Sequence, residues 1–203
     1  MKMHVVVDNG PGRTRHTTSA RRLKTATPAV SLRAALPADA PALHALIVSH
    51  IEEGHLLPRA LGELTVHAHR FVVAVQASPD GDRIVGCAEL APLSQTVAEV
   101  RSLVVGRGAR KHGLGQRMVD DLGRRARRAG YERLCAFAHD PKFFVKLGFS
   151  IVPHTWVPEK IAHDCVGCPL FRNCGQYAIV LDLHSMPASV GSPVGASVLN
   201  PRG

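Results

Sequence analysis

Glycines and basic side chains are concentrated in one short stretch of the chain. This stretch contains Arg110, Gly113, Gly115 and Arg117, and the pattern predicts a strand before it and a helix after it. The first turn of a helix carries unpaired N–H groups and the positive end of the helix dipole, so it attracts anions. Glycine lets the backbone approach an anion without a clash from a Cβ atom. The stretch therefore predicts an anion-binding loop.

Two common phosphate-binding patterns do not fit this loop. The nucleotide-kinase pattern requires Gly-x4-Gly-Lys-Ser/Thr, and the chain contains no such run. The dinucleotide pattern Gly-x-Gly-x-x-Gly would need a glycine at Lys111 or at Met118. The loop instead reads Arg-x-x-Gly-x-Gly from Arg110 to Gly115. The alternative is an ordinary glycine-containing turn at the start of a helix.

A second group with chemical potential is a cysteine cluster spaced as Cys-x2-Cys-x5-Cys. It comprises Cys165, Cys168 and Cys174, and His163 lies close by in the sequence. Thiolates at this spacing bind zinc, with the histidine as a fourth ligand. A strong zinc pattern, however, has two Cys-x2-Cys pairs, and this segment has one pair and a third cysteine. The alternative is three free thiols that pack a loop over a substrate site.

The elements that position these groups follow from the spacing of apolar residues. Strands are predicted at Ser31–Ala35, Phe71–Gln76, Arg83–Leu90, Val97–Val105, Arg133–Ala138 and Tyr177–Leu183. Helices are predicted from Asp39 to Val48, from Gly113 to Ala129 and from Lys142 to Leu147. Because three strands follow one another in the middle of this order, it predicts a mixed α/β domain and not a doubly wound repeat.

Length and charge define the domain organisation. The chain has 203 residues, 45% of them hydrophobic, which suits one globular domain. The net charge is +9, and residues 1–30 hold six Lys or Arg against one Asp. We therefore predict a disordered basic leader at residues 1–30, a domain at residues 31–183 and a flexible tail at residues 184–203.

The apolar runs and the cysteines indicate the cellular compartment in which the protein is expected. No run approaches the roughly 18 apolar residues of a membrane span, so we expect no membrane partner. Five cysteines, an odd number, and no secretory signal argue against a disulfide scaffold. Cys87 and Cys135 lie in apolar runs and are expected to be buried thiols. We expect a cytoplasmic protein.

The basic residues also permit a rival interpretation as a nucleic-acid-binding module. The segment Arg124–Arg128 and the leader would then contact phosphates. The folded part has few aromatic residues, however, and no known reading motif. A solvated helix face explains Arg124–Arg128 more simply, so we expect no nucleic-acid partner.

The loop and its surroundings resemble the GNAT N-acetyltransferase superfamily, in which an Arg-x-x-Gly-x-Gly loop binds the pyrophosphate of coenzyme A. The run from Phe144 to Phe149 is similar to the aromatic-x-x-x-Gly-Phe segment between the fourth helix and sixth strand of that family. The resemblance covers residues 32–183. It implies a GNAT fold, with a central twisted mixed β-sheet of about six to seven strands flanked by about four helices.

The resemblance implies that acetyl-CoA is the co-substrate. Its contacts are expected at Leu103, Val104, Val105, Arg110, Lys111, His112, Gly113, Leu114, Gly115, Gln116, Arg117 and Phe144. Many members of the family have a tyrosine at the position of Phe144, and that tyrosine protonates the leaving thiolate. Phenylalanine cannot donate a proton, so the thiolate must be protonated by water or stabilised in another way.

Within the family, the chain is most similar to the short bacterial N-acetylglutamate synthases. The segment Glu99–Val105 resembles their Gly-Glu-Ile-Arg-x-x-x-Val strand, and Val157–Lys160 resembles their Leu-Pro-Glu stretch. The run from Asp164 to Pro169 resembles their Asp-Cys-x-x-Cys-Pro segment. The resemblance implies direct transfer of the acetyl group to the α-amine of L-glutamate, the first step of arginine biosynthesis. Another small amine or a protein N-terminus is the alternative acceptor.

The same resemblance suggests roles for individual side chains. Glutamate has two carboxylates, and Arg101 and Lys160 are the candidates to bind them, unless each forms a surface salt bridge. Glu99 is the candidate general base, directly or through a water molecule, and Glu89 on the neighbouring strand is the alternative. His139, at the end of the fifth predicted strand, is a further possibility, although a lone histidine there is more often structural. A small amino-acid substrate is the expected partner, and a homodimer is left open.

Overall fold

The computed structural model describes residues 29–53, 56–79 and 81–184. The leader expected at residues 1–30 and the tail expected at residues 184–203 lie outside the described residues, except for residues 29, 30 and 184. In the described part, no helix is long and apolar enough to cross a membrane.

Seven strands form one sheet in the order β1-β2-β3-β4-β5-β7-β6. They are β1 Val30–Ala34, β2 Phe71–Gln76, β3 Arg83–Pro92, β4 Val97–Val105, β5 Arg133–Ala138, β6 Ser150–Val152 and β7 Tyr177–Asp182. All neighbouring strands are antiparallel except β4 and β5, which are parallel. A parallel pair needs a crossover connection, and a helix between β4 and β5 provides it. The predicted mixed α/β class is confirmed.

Helices cover both faces of the sheet. They are α1 Ala40–Val48, α2 Leu61–Val66, α3 Leu114–Arg128, α4 Lys142–Val145 and α5 Pro158–Lys160. The buried side of α3, with Met118 and Leu122, packs in one core cluster with Val72 and Val100 of the sheet. A second cluster joins α1 and α2 to the side chains of the opposite face. The period of 3.6 residues in α3 and of two in the strands makes this two-sided packing possible.

The fourth strand contains a β-bulge that changes which face its side chains occupy. In the pairing of β3 with β4, Glu89 lies opposite Arg101 and Cys87 lies opposite Val104. The bulged strand therefore has one extra residue, and Ser102 adopts a φ of 47°. Before the bulge, the odd-numbered side chains of β4 point away from α3, and after it the even-numbered Val104 does.

The pairing of β4 with β5 is short. It joins Val97–Val100 to Arg133–Ala136, whereas β4 continues to Val105 and β5 to Ala138. Beyond this pairing the sheet therefore has an interruption between β4 and β5. The loop that connects β4 to α3 begins at the open end of this interruption.

Burial places four of the five cysteines in two groups and predicts the reactivity of these four. Burial raises the pKa of Cys87 to about 12 and also raises the pKa of Cys135, while Cys168 and Cys174 are exposed. Because the thiolate is the reactive form, Cys168 and Cys174 should alkylate rapidly in the folded protein and Cys87 and Cys135 only after unfolding. Iodoacetamide labelling followed by peptide mass spectrometry measures this order. Rapid native labelling of Cys135 would contradict it.

Candidate functional site

The predicted anion-binding loop lies between the end of β4 and the start of α3. A 3₁₀ turn at Arg107–Ala109 is followed by Lys111 and Gly113, which have φ angles of 69° and 70°. Gly113 is the N-cap residue of α3 and has no side chain to cap the first turn. The N–H groups of that turn are therefore available for an anion, as the sequence predicts.

The basic side chains of the loop surround this helix start. Arg110, Lys111, His112 and Arg117 are all exposed. The Nε atom of Arg110 donates to the carbonyl of Val105 at 3.0 Å, which folds this side chain back onto the end of β4. An Nη atom of Arg117 donates to the carbonyl of Val30 at 3.1 Å. Gln116 is exposed and Leu114 is buried beneath the turn.

Two neighbouring phenylalanines have different surroundings. Phe144 is buried, and its ring packs at 5.2 Å from that of Phe149 in the main core. Phe143 faces the loop: a Cβ atom at Gly115 would lie 3.3 Å from its Cζ atom. Gly115 therefore allows the loop and the fourth helix to approach closely. The sequence resemblance singled out Phe144, whereas Phe143 is the ring that contacts the loop.

Four charged side chains meet on the face of the sheet opposite α3. The Nζ atom of Lys160 donates to Oε1 and Oε2 of Glu99 at 2.7 and 2.8 Å, and Arg101 Nε donates to Oε2 at 2.5 Å. Asp164 Oδ2 accepts from Lys160 Nζ at 2.7 Å and from an Nη atom of Arg101. The structure thus brings Lys160 to Glu99 and Arg101, about 60 positions earlier in the sequence, and adds Asp164.

Burial and charge act in opposite directions within this cluster. Partial burial would raise the pKa of Asp164, but hydrogen bonds from Lys160 and His163 and the charges of Lys160 and Arg101 lower it to about 2. Burial would likewise lower the pKa of Arg101, but Glu99 and Asp164 raise it above its ordinary value. Asp164 is therefore ionised and Arg101 protonated throughout the neutral range.

The cluster adjoins the Phe137 ring and includes residues of the segment Val157–Cys165. Lys160 Nζ lies 5.2 Å from the centre of the Phe137 ring, and this ring also stacks on that of His154. Val157 is buried beside Cys135 under the sheet. Arg101 and Val105 are four residues apart on β4, which at the rise of a strand places the cluster roughly 13 Å from the loop.

A second ion-pair network lies near the charged cluster. The sequence did not predict this network. Arg59 donates to Glu89 Oε2 at 2.8 Å, to Ser102 Oγ at 3.1 Å and to both carboxylate oxygens of Glu63. Glu89 is 1% exposed. Its carboxylate is therefore paired with a cation inside the protein, as the carboxylate of Glu99 is with Arg101 and Lys160. No sequence signal linked Arg59 to Glu89, because the two residues are 30 positions apart.

The zinc site considered for the cysteine cluster is not formed by the described side chains. In that part of the chain, no group of three or more His, Cys, Asp or Glu is arranged to hold a metal ion. Cys168 and Cys174 are exposed, Cys165 is half-buried, and His163 Nδ1 donates to Asp164 at 2.9 Å. The histidine thus supports a carboxylate instead of completing a set of thiolate ligands.

The arginines of α3 that suggested a nucleic-acid surface bind their own chain. Arg124 and Arg125 pair with Asp121, and Arg125 also donates to the carbonyl of Phe71 at 3.2 Å. Arg127 donates to the carbonyl of Leu183 at 3.0 Å. The contacts of Arg125 and Arg127 attach the helix to β2 and to the end of β7.

The family model and the known proteins that this chain matches are those of acetyltransferases. The model of the acetyltransferase (GNAT) family matches residues 42–149. An uncharacterized N-acetyltransferase of Chlorobaculum tepidum is 28% identical over 152 residues, which cover 75% of this chain and 96% of that protein. An amino-acid acetyltransferase of Mycobacterium tuberculosis is 28% identical over 130 residues, or 64% of this chain and 74% of that protein.

Among solved structures, the chain is similar to the N-acetylglutamate synthase of Neisseria gonorrhoeae in complex with coenzyme A and N-acetyl-glutamate. The TM-score is 0.66 and the identity 28%, over 78% of this chain and 36% of that one. The chain therefore spans only about a third of the length of that synthase.

Proposed function

The chain belongs to the acetyltransferase (GNAT) family and is an acetyl-CoA-dependent N-acetyltransferase, and on that premise we propose that it acetylates the α-amine of an amino acid, L-glutamate. The observation that carries this proposal is the cluster of Glu99, Arg101 and Lys160 beside the interruption between β4 and β5. The similarity to amino-acid acetyltransferases supports it. Arginine biosynthesis is the corresponding pathway.

The loop and the end of β4 fit the cofactor. The uncapped start of α3 and the surrounding basic side chains suit a pyrophosphate, and Leu103, Val104 and Val105 lead from the loop towards the charged cluster. Acetyl-CoA supplies the activated acetyl group as a thioester. In this arrangement Arg110, Lys111 and Arg117 orient the phosphates, and the strand directs the arm of the cofactor towards Glu99.

The charged cluster supplies the chemistry of the acceptor. Arg101 and Lys160 bind a carboxylate of the amino acid, which brings its ammonium group next to Glu99. Glu99 accepts a proton from the ammonium group, directly or through a water molecule, and the amine becomes nucleophilic. Phe144 is buried and has no proton to donate, so the departing thiolate is protonated by water or stabilised in another way.

A thiol-release assay with acetyl-CoA tests the proposed acceptor. The panel should contain L-glutamate, other amino acids, a polyamine and a peptide with a free N-terminus. We expect turnover with amino acids, the highest kcat/KM for L-glutamate, and no turnover with the polyamine, because it has no carboxylate for Arg101 and Lys160 to bind. No turnover with glutamate, but turnover with the polyamine or the peptide, would contradict the proposal while leaving the family assignment unchanged.

Replacement of Arg101 should separate the acceptor from the cofactor. In Arg101→Ala, the KM for glutamate should rise by about tenfold to a hundredfold, since a charged hydrogen bond contributes about 1.5–3 kcal/mol. The KM for acetyl-CoA should change by less than threefold. Steady-state kinetics measure both constants, and Arg124→Ala, which removes a surface ion pair on α3, is the control. Equal increases in both constants would discard this role for Arg101.

A further inference from the structure

The carboxylate of Asp164 occupies a position between the two cations of the proposed acceptor site. Its Oδ2 atom accepts from both Arg101 and Lys160, and its Oδ1 atom accepts from His163 at 2.9 Å. Arg101 and Lys160 are the side chains to which the proposed function assigns the substrate carboxylate. A carboxylate of the protein itself therefore holds the groups that a carboxylate of the substrate would need.

The two carboxylates of the cluster differ in how firmly they are held. Glu99 is 3% exposed and belongs to β4, where the strand is paired on both sides. The side chain of Asp164 is 32% exposed. Asp164 lies outside the sheet, in the segment Val157–Cys165. Of the two, Asp164 is the one that can be exchanged without disturbing the sheet.

The backbone that carries Asp164 is of an uncommon type. Ile161–Cys165 forms a π turn, closed by a 3.2 Å hydrogen bond from the Val166 N–H to the carbonyl of Ile161. Such turns occur mainly as single insertions, often at functional sites. Towards the N-terminus the segment is fixed by the buried Val157 and by Glu159, which pairs with Arg133. Beyond the turn, Val166 and Leu170 are exposed.

We propose that Asp164 is an internal competitor for the carboxylate of the acceptor and that the amino acid must displace it to bind. This inference rests on the proposed function, because it assigns Arg101 and Lys160 to the acceptor. An amino acid can replace Asp164 with its own carboxylate and present its ammonium group to Glu99. An amine without a carboxylate cannot make this exchange, so Asp164 selects for amino acids over simple amines.

Protonation does not release Asp164 under neutral conditions. The carboxylate stays ionised far below neutral pH, because two cations and a histidine bind it. Exchange with another carboxylate is therefore the way in which the two cations become available. The apparent affinity for the acceptor is then lowered, because only the molecules in which Asp164 has left the site can bind the amino acid.

Asp164→Asn tests the competition with little change of shape. If Asp164 occupies the site in about nine molecules out of ten, the KM for the amino acid should fall by about tenfold in this variant. The KM for acetyl-CoA should not change. Glu159→Gln is the matched control, because it removes a carboxylate of the same segment that pairs with Arg133 and not with Arg101 or Lys160.

A binding measurement without turnover distinguishes this inference from the proposed function. Glutarate has two carboxylates and no amine, and calorimetry should show that it binds Asp164→Asn about tenfold more tightly than the wild-type protein. Asp164→Ala should change the affinity in the same direction, and Arg101→Ala combined with Asp164→Asn should remove the gain. This result stands even if glutamate proves not to be the acceptor. Weaker or unchanged glutarate binding in both variants would overturn the proposal and assign Asp164 to positioning the two cations.

Discussion

Glu99→Gln is expected to lower kcat for acetyl transfer by about 10²–10⁴-fold, the usual contribution of a general base. Glutamine keeps the size of the side chain but cannot accept a proton from the ammonium group of the acceptor. The carboxylate is buried and has no water-exposed substitute nearby on β4, because Arg101 and Ser102 follow it. The KM for acetyl-CoA should stay within threefold, since the predicted cofactor contacts lie further along the chain.

The relative changes of kcat and of the KM for the amino acid distinguish a catalytic role of Glu99 from a role in pairing with Arg101 and Lys160. If Glu99 only orients Arg101 and Lys160, its replacement will raise the KM for the amino acid and leave kcat within threefold. If Glu99 is the base, its loss should be partly compensated at higher pH, because a larger fraction of the acceptor amine is then already deprotonated. Glu159→Gln, which removes a carboxylate paired with Arg133 on the same face, should retain kcat. A KM effect without a kcat effect would remove Glu99 as the base.

The strands and α3 could be predicted because their apolar residues are periodic. The six predicted strands and the long helix appear with end points displaced by no more than two residues. The strand β6 was implied by the family resemblance but not by periodicity, because its three residues are too few to show alternation, and Ile151 in its centre is exposed. The fourth helix was predicted to Leu147 but ends at Val145, where a turn leads to Gly148 at a φ of 90°.

The anion-binding loop could be predicted because its function lies in consecutive residues. The charged cluster could be predicted only in part, because it is created by the topology. Glu99 and Arg101 share a strand, so their proximity follows from the two-residue period, whereas Lys160 and Asp164 reach them only through the fold. Charge counts also could not show that Arg101 is already paired with two carboxylates.

The bulge in β4 was invisible in the sequence for a similar reason. Ser102 lies in an unbroken strand pattern, and nothing in Arg101–Val105 marks a positive φ. The side chains that contact the bulge come from another part of the chain, since Arg59 donates to Ser102 Oγ and to Glu89. The bulge follows Arg101 directly, so the network around Arg59 also supports the geometry of the proposed acceptor site.

Arg59→Met is expected to destabilise the protein by about 3–5 kcal/mol, the usual cost of leaving one partner of a buried ion pair uncompensated. Methionine preserves much of the apolar stem but removes the cation that binds Glu89. Glu89 is 1% exposed, so water cannot replace the guanidinium. Burial alone would lower the pKa of Arg59, but Glu63 and Glu89 raise it, which keeps the side chain charged. Urea unfolding measures the change in free energy.

The exposed pair of Arg33 with Asp39 provides the matched control. Arg33 donates to both carboxylate oxygens of Asp39, at 2.6 and 2.9 Å, but its side chain is 41% exposed. Arg33→Met should therefore cost about 1 kcal/mol or less, although it removes an ion pair of similar geometry. The double variant Arg59→Met with Glu89→Gln should recover part of the lost stability, because it removes the unpaired charge. Equal costs for Arg33→Met and Arg59→Met, or no recovery in the double variant, would show that the network around Glu89 is held by packing and not by charge.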